Sequence, residues 1–205
     1  VAAECRQPLM IVTKNALVTR DLDLLQKLAS HRAASVAVSV TSLDQELTRV
    51  MEPRTSCPAA RLRAIQQLSE AGIPVGVMAA PIIPGLNDVE IPRILEAARG
   101  AGAVSANYIL LRLPTTVSKV FLAWLREHRP NHADKVELFI RSSRSGKLNS
   151  ATFGERQRGE GNLAEAIGHT FRIFARRYGL DGPREPLHAD AFIPPRPASG
   201  QLRLF

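Results

Sequence analysis

The sequence predicts an α/β fold with parallel strands, and three observations predict it. Short β-branched runs alternate with amphipathic helical stretches four times between Leu9 and His128. Each run ends in polar or turn-forming residues, and each intervening segment is long enough for a right-handed crossover. A closed eight-stranded barrel needs about twice this strand count, so the architecture is either a small open sheet or the back part of a larger barrel.

Leu9 to Thr13 is the first strand, ending in Thr13-Lys14-Asn15, and Leu22, Leu25, Leu28 and Ala29 give the following helix its apolar face. Val36, Val38 and Val40 mark the second strand. Ser42 and Gln45 have capping-box spacing for a helix carrying Leu43, Leu47 and Val50. Pro58 then opens a longer helix with Leu62, Ile65 and Leu68, which Gly72 closes. The third strand, Val75 to Ile83, runs into Pro81-Ile82-Ile83-Pro84-Gly85-Leu86-Asn87-Asp88. Pro84 and Gly85 suit the two central positions of a type II turn, and Asn87 or Asp88 can cap the next helix, Asn87 pairing with Glu90 at capping-box spacing. Ile91, Ile94, Leu95 and Ala98 form that helix's stripe. Ala103 to Leu111 is the fourth strand, finishing in Leu111-Arg112-Leu113-Pro114, and the helix after it is expected to bury Val120, Phe121, Trp124 and Leu125.

After Pro130 the alternation stops, which divides the chain into a partial barrel over 1–130, a helical extension over 131–180 and a Pro-rich tail over 181–205. Helical patterns run from about Asn131 to Arg144 and from Asn162 to Tyr178, separated by an Arg- and Gly-rich loop, Arg156 to Gly161. The tail holds five of the fourteen prolines and reads as an extended strap or a disordered end.

At 205 residues and 45% hydrophobic content the chain can bury a sizeable core. No apolar run reaches the roughly 18 residues that span a bilayer. No membrane association is expected, and a cytoplasmic location is the simplest expectation. Cys5 and Cys57 are isolated from each other and from the histidines, giving neither a disulfide framework nor a metal-ligand spacing. The opening Val1 suggests a piece of something longer. A net charge of +8 fits a polyanionic partner such as nucleic acid. A merely basic, arginine-favouring surface explains the charge better when taken alone, because no aromatic residues are interleaved with the basic ones.

Parallel strands bring four polar strand ends to one rim: Lys14, Ser39 with Thr41, the Pro81–Asp88 loop, and Arg112. A cation, two hydroxyls, bare backbone and a guanidinium make a binding site. They do not make a catalyst: no nucleophile elbow and no spaced carboxylate pair is present, and no catalytic residue is assigned. Asp88 at the helix start disfavours phosphate there and favours a ribose hydroxyl or a cation. Ile82 and Ile83 beside the turn suit a flat ring such as adenine. Each residue alone has an ordinary structural reading: solvated lysine, strand-end hydroxyls, helix cap, surface arginine.

In combination, Ile11 to Asn15, Val38 to Thr41, Met51 to Thr55, Ala60 to Leu62, Ala71 to Val75, Pro81 to Asp88 and Leu111 to Pro114 resemble a radical S-adenosylmethionine protein of the spore photoproduct lyase-related group. The resemblance implies the C-terminal part of a partial (β/α)6-type barrel. It lays the family element G-x-I-x-G-x-x-E over Pro81 to Asp88, where Ile83 and Gly85 match and Pro81 and Asp88 depart. It implies adenine along this loop (Ile82, Ile83, Gly85, Asp88), the methionine carboxylate at Lys14, and the methionine or ribose part at Ser39, with Thr41 a further candidate. Arg112 is a candidate for the substrate. The four-iron, four-sulfur cluster of such enzymes sits on C-x-x-x-C-x-x-C, which Cys5 and Cys57 cannot supply; no metal ligand is expected within this chain, and the chain alone is expected to be inactive.

Two functions follow as expectations: a radical S-adenosylmethionine enzyme fragment, lyase-like and acting on DNA or another nucleic acid, and a non-catalytic degenerate barrel that binds a nucleoside or nucleic acid. A phosphate-binding aldolase-type barrel is disfavoured by the lack of a Gly-rich phosphate loop. Oligomeric state is left open by the sequence.

Overall fold

A computed structural model describes residues 1–183 and 185–195. Four parallel strands, β1 (Leu9–Thr13), β2 (Ala34–Ser39), β3 (Val75–Ile82) and β4 (Ser105–Leu110), form one sheet in the order β1-β2-β3-β4. The helices are α1 (Ala2–Cys5), α2 (Leu22–Ala29), α3 (Gln45–Met51), α4 (Pro58–Glu70), α5 (Ile91–Gly100), α6 (Thr115–His128), α7 (Ala133–Ser142), α8 (Glu155–Arg158) and α9 (Gly161–Arg177). Sequential parallel neighbours joined by helices are the arrangement of a barrel wall rather than of a doubly wound sheet.

The period-2 alternation of the strands decides which face is buried. Val36, Val38 and Val40 of the second run and Val75, Val77 and Ala79 of β3 are buried in one core with Leu25 and Leu28 of α2, Ile65 and Leu68 of α4, and Ile94 and Leu95 of α5. Helix α9 adds Ala164, Ile167 and Phe171 to the same core. The opposite face carries a cross-strand row in register, Val12, Ala37, Gly76 and Ser105. Small residues are required in this row: a Cβ on Gly76 would stand 2.5 Å from Ser105 Oγ.

The two edges of the sheet differ. Leu9 donates its N–H to Ala33 O, so Met10 and Val12 turn their backbone groups away from β2, and both side chains are exposed. Among the described residues these outward groups find no partner. The β4 edge is closed: Ala106 N–H donates to Leu180 O, Tyr108 N–H to Asn107 Oδ1, and Leu110 O accepts from Arg144 Nη2.

A smaller second core of Ile83, Leu113, Leu125, Ala133, Val136 and Ile140 lies where β3 and β4 end, under α6 and α7. Val120, expected in the buried stripe of α6, is 71% exposed, because only the Leu125 side of that helix meets α7. Where it is described, the tail is hydrogen-bonded to the body of the domain. His188 N–H donates to Arg32 O and Ile193 N–H to Cys5 O, and Pro183, Pro186 and Leu187 line a cavity with Ala34, Gly76 and Ser105. Residue 184 and residues 196–205 of that tail lie outside the described residues. No helix among the described residues is long and apolar enough to cross a membrane.

Candidate functional site at the strand ends

The sheet delivers the predicted strand ends to one rim, and an ion-pair network organises its β1–β2 half. Lys14, just past β1, pairs with Glu52 Oε1 and donates to Thr41 Oγ1 at 3.1 Å. Glu52 Oε2 takes Arg61 Nη2 at 2.6 Å. Arg61 is fully buried and uses its whole fork: Nε donates to Ser56 O, Nη1 to Ser39 O at 3.0 Å, and Nη2 also to Thr55 Oγ1. Ser39 Oγ donates to Ala80 O at 2.9 Å, while Thr41 Oγ1 shares one hydrogen between Glu52 Oε1 and Ala80 O.

Burial alone would raise the carboxyl of Glu52; hydrogen bonds from Lys14 and Arg61, with their charges, outweigh that and hold it below the usual carboxylate range. The lysine is the member that faces outward, with 32% of its side chain exposed against 10% for Glu52 and 1% for Arg61. An ammonium has three donors, and two have protein partners, which leaves one at the opening.

The Pro81–Asp88 turn is built as expected and filled otherwise than expected. Leu86 N–H donates to Ile83 O at 3.0 Å and Gly85 has φ 79°, the type II geometry that Pro84 and Gly85 predict. Ile82 is buried in the main core and Ile83 in the second core, so neither side chain is free to lie under a ring, and only backbone is on offer. The bare Cα of Gly85 faces α7: a Cβ there would meet Phe139 Cδ2 at 2.9 Å. Asp88 Oδ1 accepts Gly85 N–H at 2.9 Å and thereby locks the turn.

Both predicted capping boxes give way to tertiary bonds. Asp44, not Ser42, caps α3 by accepting Glu46 and Leu47 N–H. Ser42 Oγ instead donates to Glu90 Oε1 at 2.6 Å, and Leu43 N–H donates to Glu90 Oε2. Asn87 makes no cap; it bridges Ile83 N–H, Pro81 O and Thr41 O. These bonds tie the β2 end to the β3 turn.

At the β4 end Arg112 is exposed. Its neighbour Leu111 offers its carbonyl to Arg144, a second fully buried arginine. The signal that finds both buried arginines is a charge on an apolar stripe: Arg61 precedes Ile65 and Leu68 at helical spacing, and Arg144 follows Val136 and Ile140. Glu52 left no comparable trace. Among the described residues no group of three His, Cys, Asp or Glu is placed to hold a metal; Cys5 is buried and Cys57 is exposed.

Comparison with known proteins agrees with this architecture. The Radical SAM superfamily profile matches residues 2–98. Uncharacterized proteins of Mycobacterium tuberculosis and Mycobacterium bovis are each 37% identical over 137 residues, covering 65% of this chain and 40% of theirs. An uncharacterized protein of Methanocaldococcus jannaschii is 36% identical over 85 residues, covering 42% of this chain and 32% of its own. The chain thus spans well under half of these relatives. A spore photoproduct lyase variant superposes with TM-score 0.51 at 16% identity over 83% of this chain and 48% of that one, a likeness of fold. The segment that carries Lys14, Ser39, Thr41, Glu52, Arg61 and the Pro81–Asp88 turn lies within residues 2–98, the part of the chain that is similar to the Radical SAM superfamily.

Proposed function

We propose that the β1–β2 half of the rim binds S-adenosylmethionine, with Lys14 taking the methionine carboxylate. The observation that carries this reading is the anchored lysine. Glu52 and Thr41 fix its ammonium while one donor stays at the opening, which presents a positioned charge instead of a freely moving one. Glu52 acts as the positioning residue, and Arg61 holds Glu52 in turn. Ser39 and Thr41 lie beside this point, their hydroxyls bonded to Ala80 O at 2.9 and 3.0 Å. The adenine part then meets the backbone of the Pro81–Asp88 turn, since Ile82, Ile83 and Gly85 face protein.

In this superfamily the bound S-adenosylmethionine supplies, on reduction by an iron–sulfur cluster, an adenosyl radical that abstracts a hydrogen atom from substrate. The cysteines at hand do not fit the cluster, because Cys5 is buried on α1 and Cys57 stands alone at the start of α4. The residues of this chain therefore bind and orient the cofactor's amino acid end. A nucleic acid is the substrate class we infer for the whole protein, from the charge of +8 taken together with the likeness to spore photoproduct lyase, since the charge alone does not carry it.

Calorimetric titration of S-adenosylmethionine tests the reading. Lys14→Met is expected to weaken binding by about tenfold to a hundredfold, the worth of one charge-assisted hydrogen bond. Equal affinity in wild type and variant would refute it.

A further inference from the structure

Among the described residues two arginines are fully buried, and their surroundings differ. Arg61 has Glu52 at 2.6 Å. Arg144, 1% exposed, has no carboxylate within ion-pair distance among the described residues. Its Nε donates to Leu111 O at 3.0 Å, and its Nη2 to Leu110 O and Leu111 O at 2.9 and 2.8 Å. The remaining nitrogen, Nη1, is buried and has no hydrogen-bond partner among the described residues. A guanidinium nitrogen of this kind carries two N–H donors that have left water for nothing.

The neighbourhood adds positive charge instead of compensating it. Arg112 follows directly on the Leu111 carbonyl that Arg144 holds. Burial first, and the charge of Arg112 second, push the guanidinium of Arg144 below its ordinary value, with Glu160 opposing. Glu160 is itself engaged, accepting from Ser145 Oγ. The segment that runs beside this rim carries a second unsatisfied group: Leu113 N–H donates to Leu148 O, and the next residue, Asn149, has a buried Oδ1 with no partner among the described residues. Rotating that amide would exchange an unused acceptor for a donor.

A buried cation without a counter-ion, an exposed second guanidinium and an unsatisfied amide on one strand end share one deficiency, which is a missing oxyanion. We infer that the rim beyond β4, formed by Arg144 Nη1 and Arg112 with Asn149 alongside, is an oxyanion subsite that takes a phosphate or carboxylate group of the substrate. Charge-assisted hydrogen bonds from Nη1 of Arg144 and from the guanidinium of Arg112 suit both groups, and the site is separate from Lys14, so it holds whether or not the β1–β2 half binds S-adenosylmethionine.

Titration of the full chain with inorganic phosphate, and separately with acetate, at constant ionic strength maintained with chloride tests this. The expected result is saturable binding of at least one of the two, the stronger identifying the group. Arg112→Gln, at an exposed position, should weaken that binding about tenfold while leaving the thermal midpoint nearly unchanged. Arg144→Met should abolish it, and its midpoint, followed with and without the anion, should lose the rise that the anion gives wild type. Arg63→Gln, on α4 away from this rim, should bind as wild type does. Absence of saturable binding by either anion would overturn the inference, as would binding that survives both the Arg112 and the Arg144 substitution.

Discussion

The two halves of the rim solve one physical problem in different ways. On the β1–β2 side, burial of Arg61 is compensated within the chain by Glu52, and Lys14 is recruited as the outward member of the same network. On the β4 side, among the described residues, burial of Arg144 is compensated by carbonyls alone and one nitrogen is left without a partner. A buried charge costs several kcal/mol in desolvation unless it is paired, on the order of magnitude of the whole stability of a domain. The paired half is thus a finished structural element with one reserved donor, whereas the unpaired half holds its deficiency in store for a ligand.

The largest expected effect comes from breaking the paired half. Arg61→Met leaves Glu52 buried with only Lys14, and should lower unfolding free energy by about 3–5 kcal/mol in urea titration. Arg144→Met removes an uncompensated charge together with its carbonyl bonds, and should cost only about 1–2 kcal/mol in the same experiment. Equal losses would erase the distinction between the halves.

Between the two halves, Gly85→Ala should cost about 1–3 kcal/mol, because a left-handed φ of 79° and the Phe139 ring both oppose a Cβ. Pairing it with Phe139→Leu should recover the steric part and leave the backbone part, which a double-mutant cycle reads directly.

The acid limb of stability reports on the network more gently. The folded carboxyl of Glu52 is held below its ordinary value, so its contribution is fully present above the unfolded carboxylate range near ~4.3. It disappears as pH falls through the lower folded value. Glu52→Gln should flatten this part of the stability profile against pH, besides lowering the plateau. A variant that keeps the wild-type slope would show that Glu52 is not linked to folding. The smallest effect is expected at the open edge. Val12→Lys, at a side chain 57% exposed, should stay within about 0.5 kcal/mol.

Most of the scaffold was legible in the sequence because its determinants are local. β-Branched alternation set the strands, and Pro84-Gly85 set a turn that no other residue pair suits as well. The capping boxes failed for a physical reason: Ser42, Asn87 and Glu90 have the right spacing, but each finds a stronger partner across the β2–β3 junction. The same limit governs the site. Lys14, Ser39 and Thr41 reach the expected rim, but their partner Glu52 lies on a connection, and only folding brings it to the lysine. Ile83 looked available for a ring because a sequence does not reveal that α6 and α7 fold back over the strand ends, and Ile82 because it does not reveal that this side chain turns into the main core. Arg61 and Arg144 were visible as charges within apolar stripes, the one non-local feature that left a local trace.

The most direct measurement compares S-adenosylmethionine with 5′-methylthioadenosine, which lacks the amino acid, by calorimetric titration of wild type and Lys14→Met. If the anchored lysine reads the methionine carboxylate, wild type should prefer S-adenosylmethionine by at least about tenfold, and the variant should lose most of that preference while binding methylthioadenosine unchanged. A preference that persists in full in the variant, or that is absent from wild type, would contradict the account.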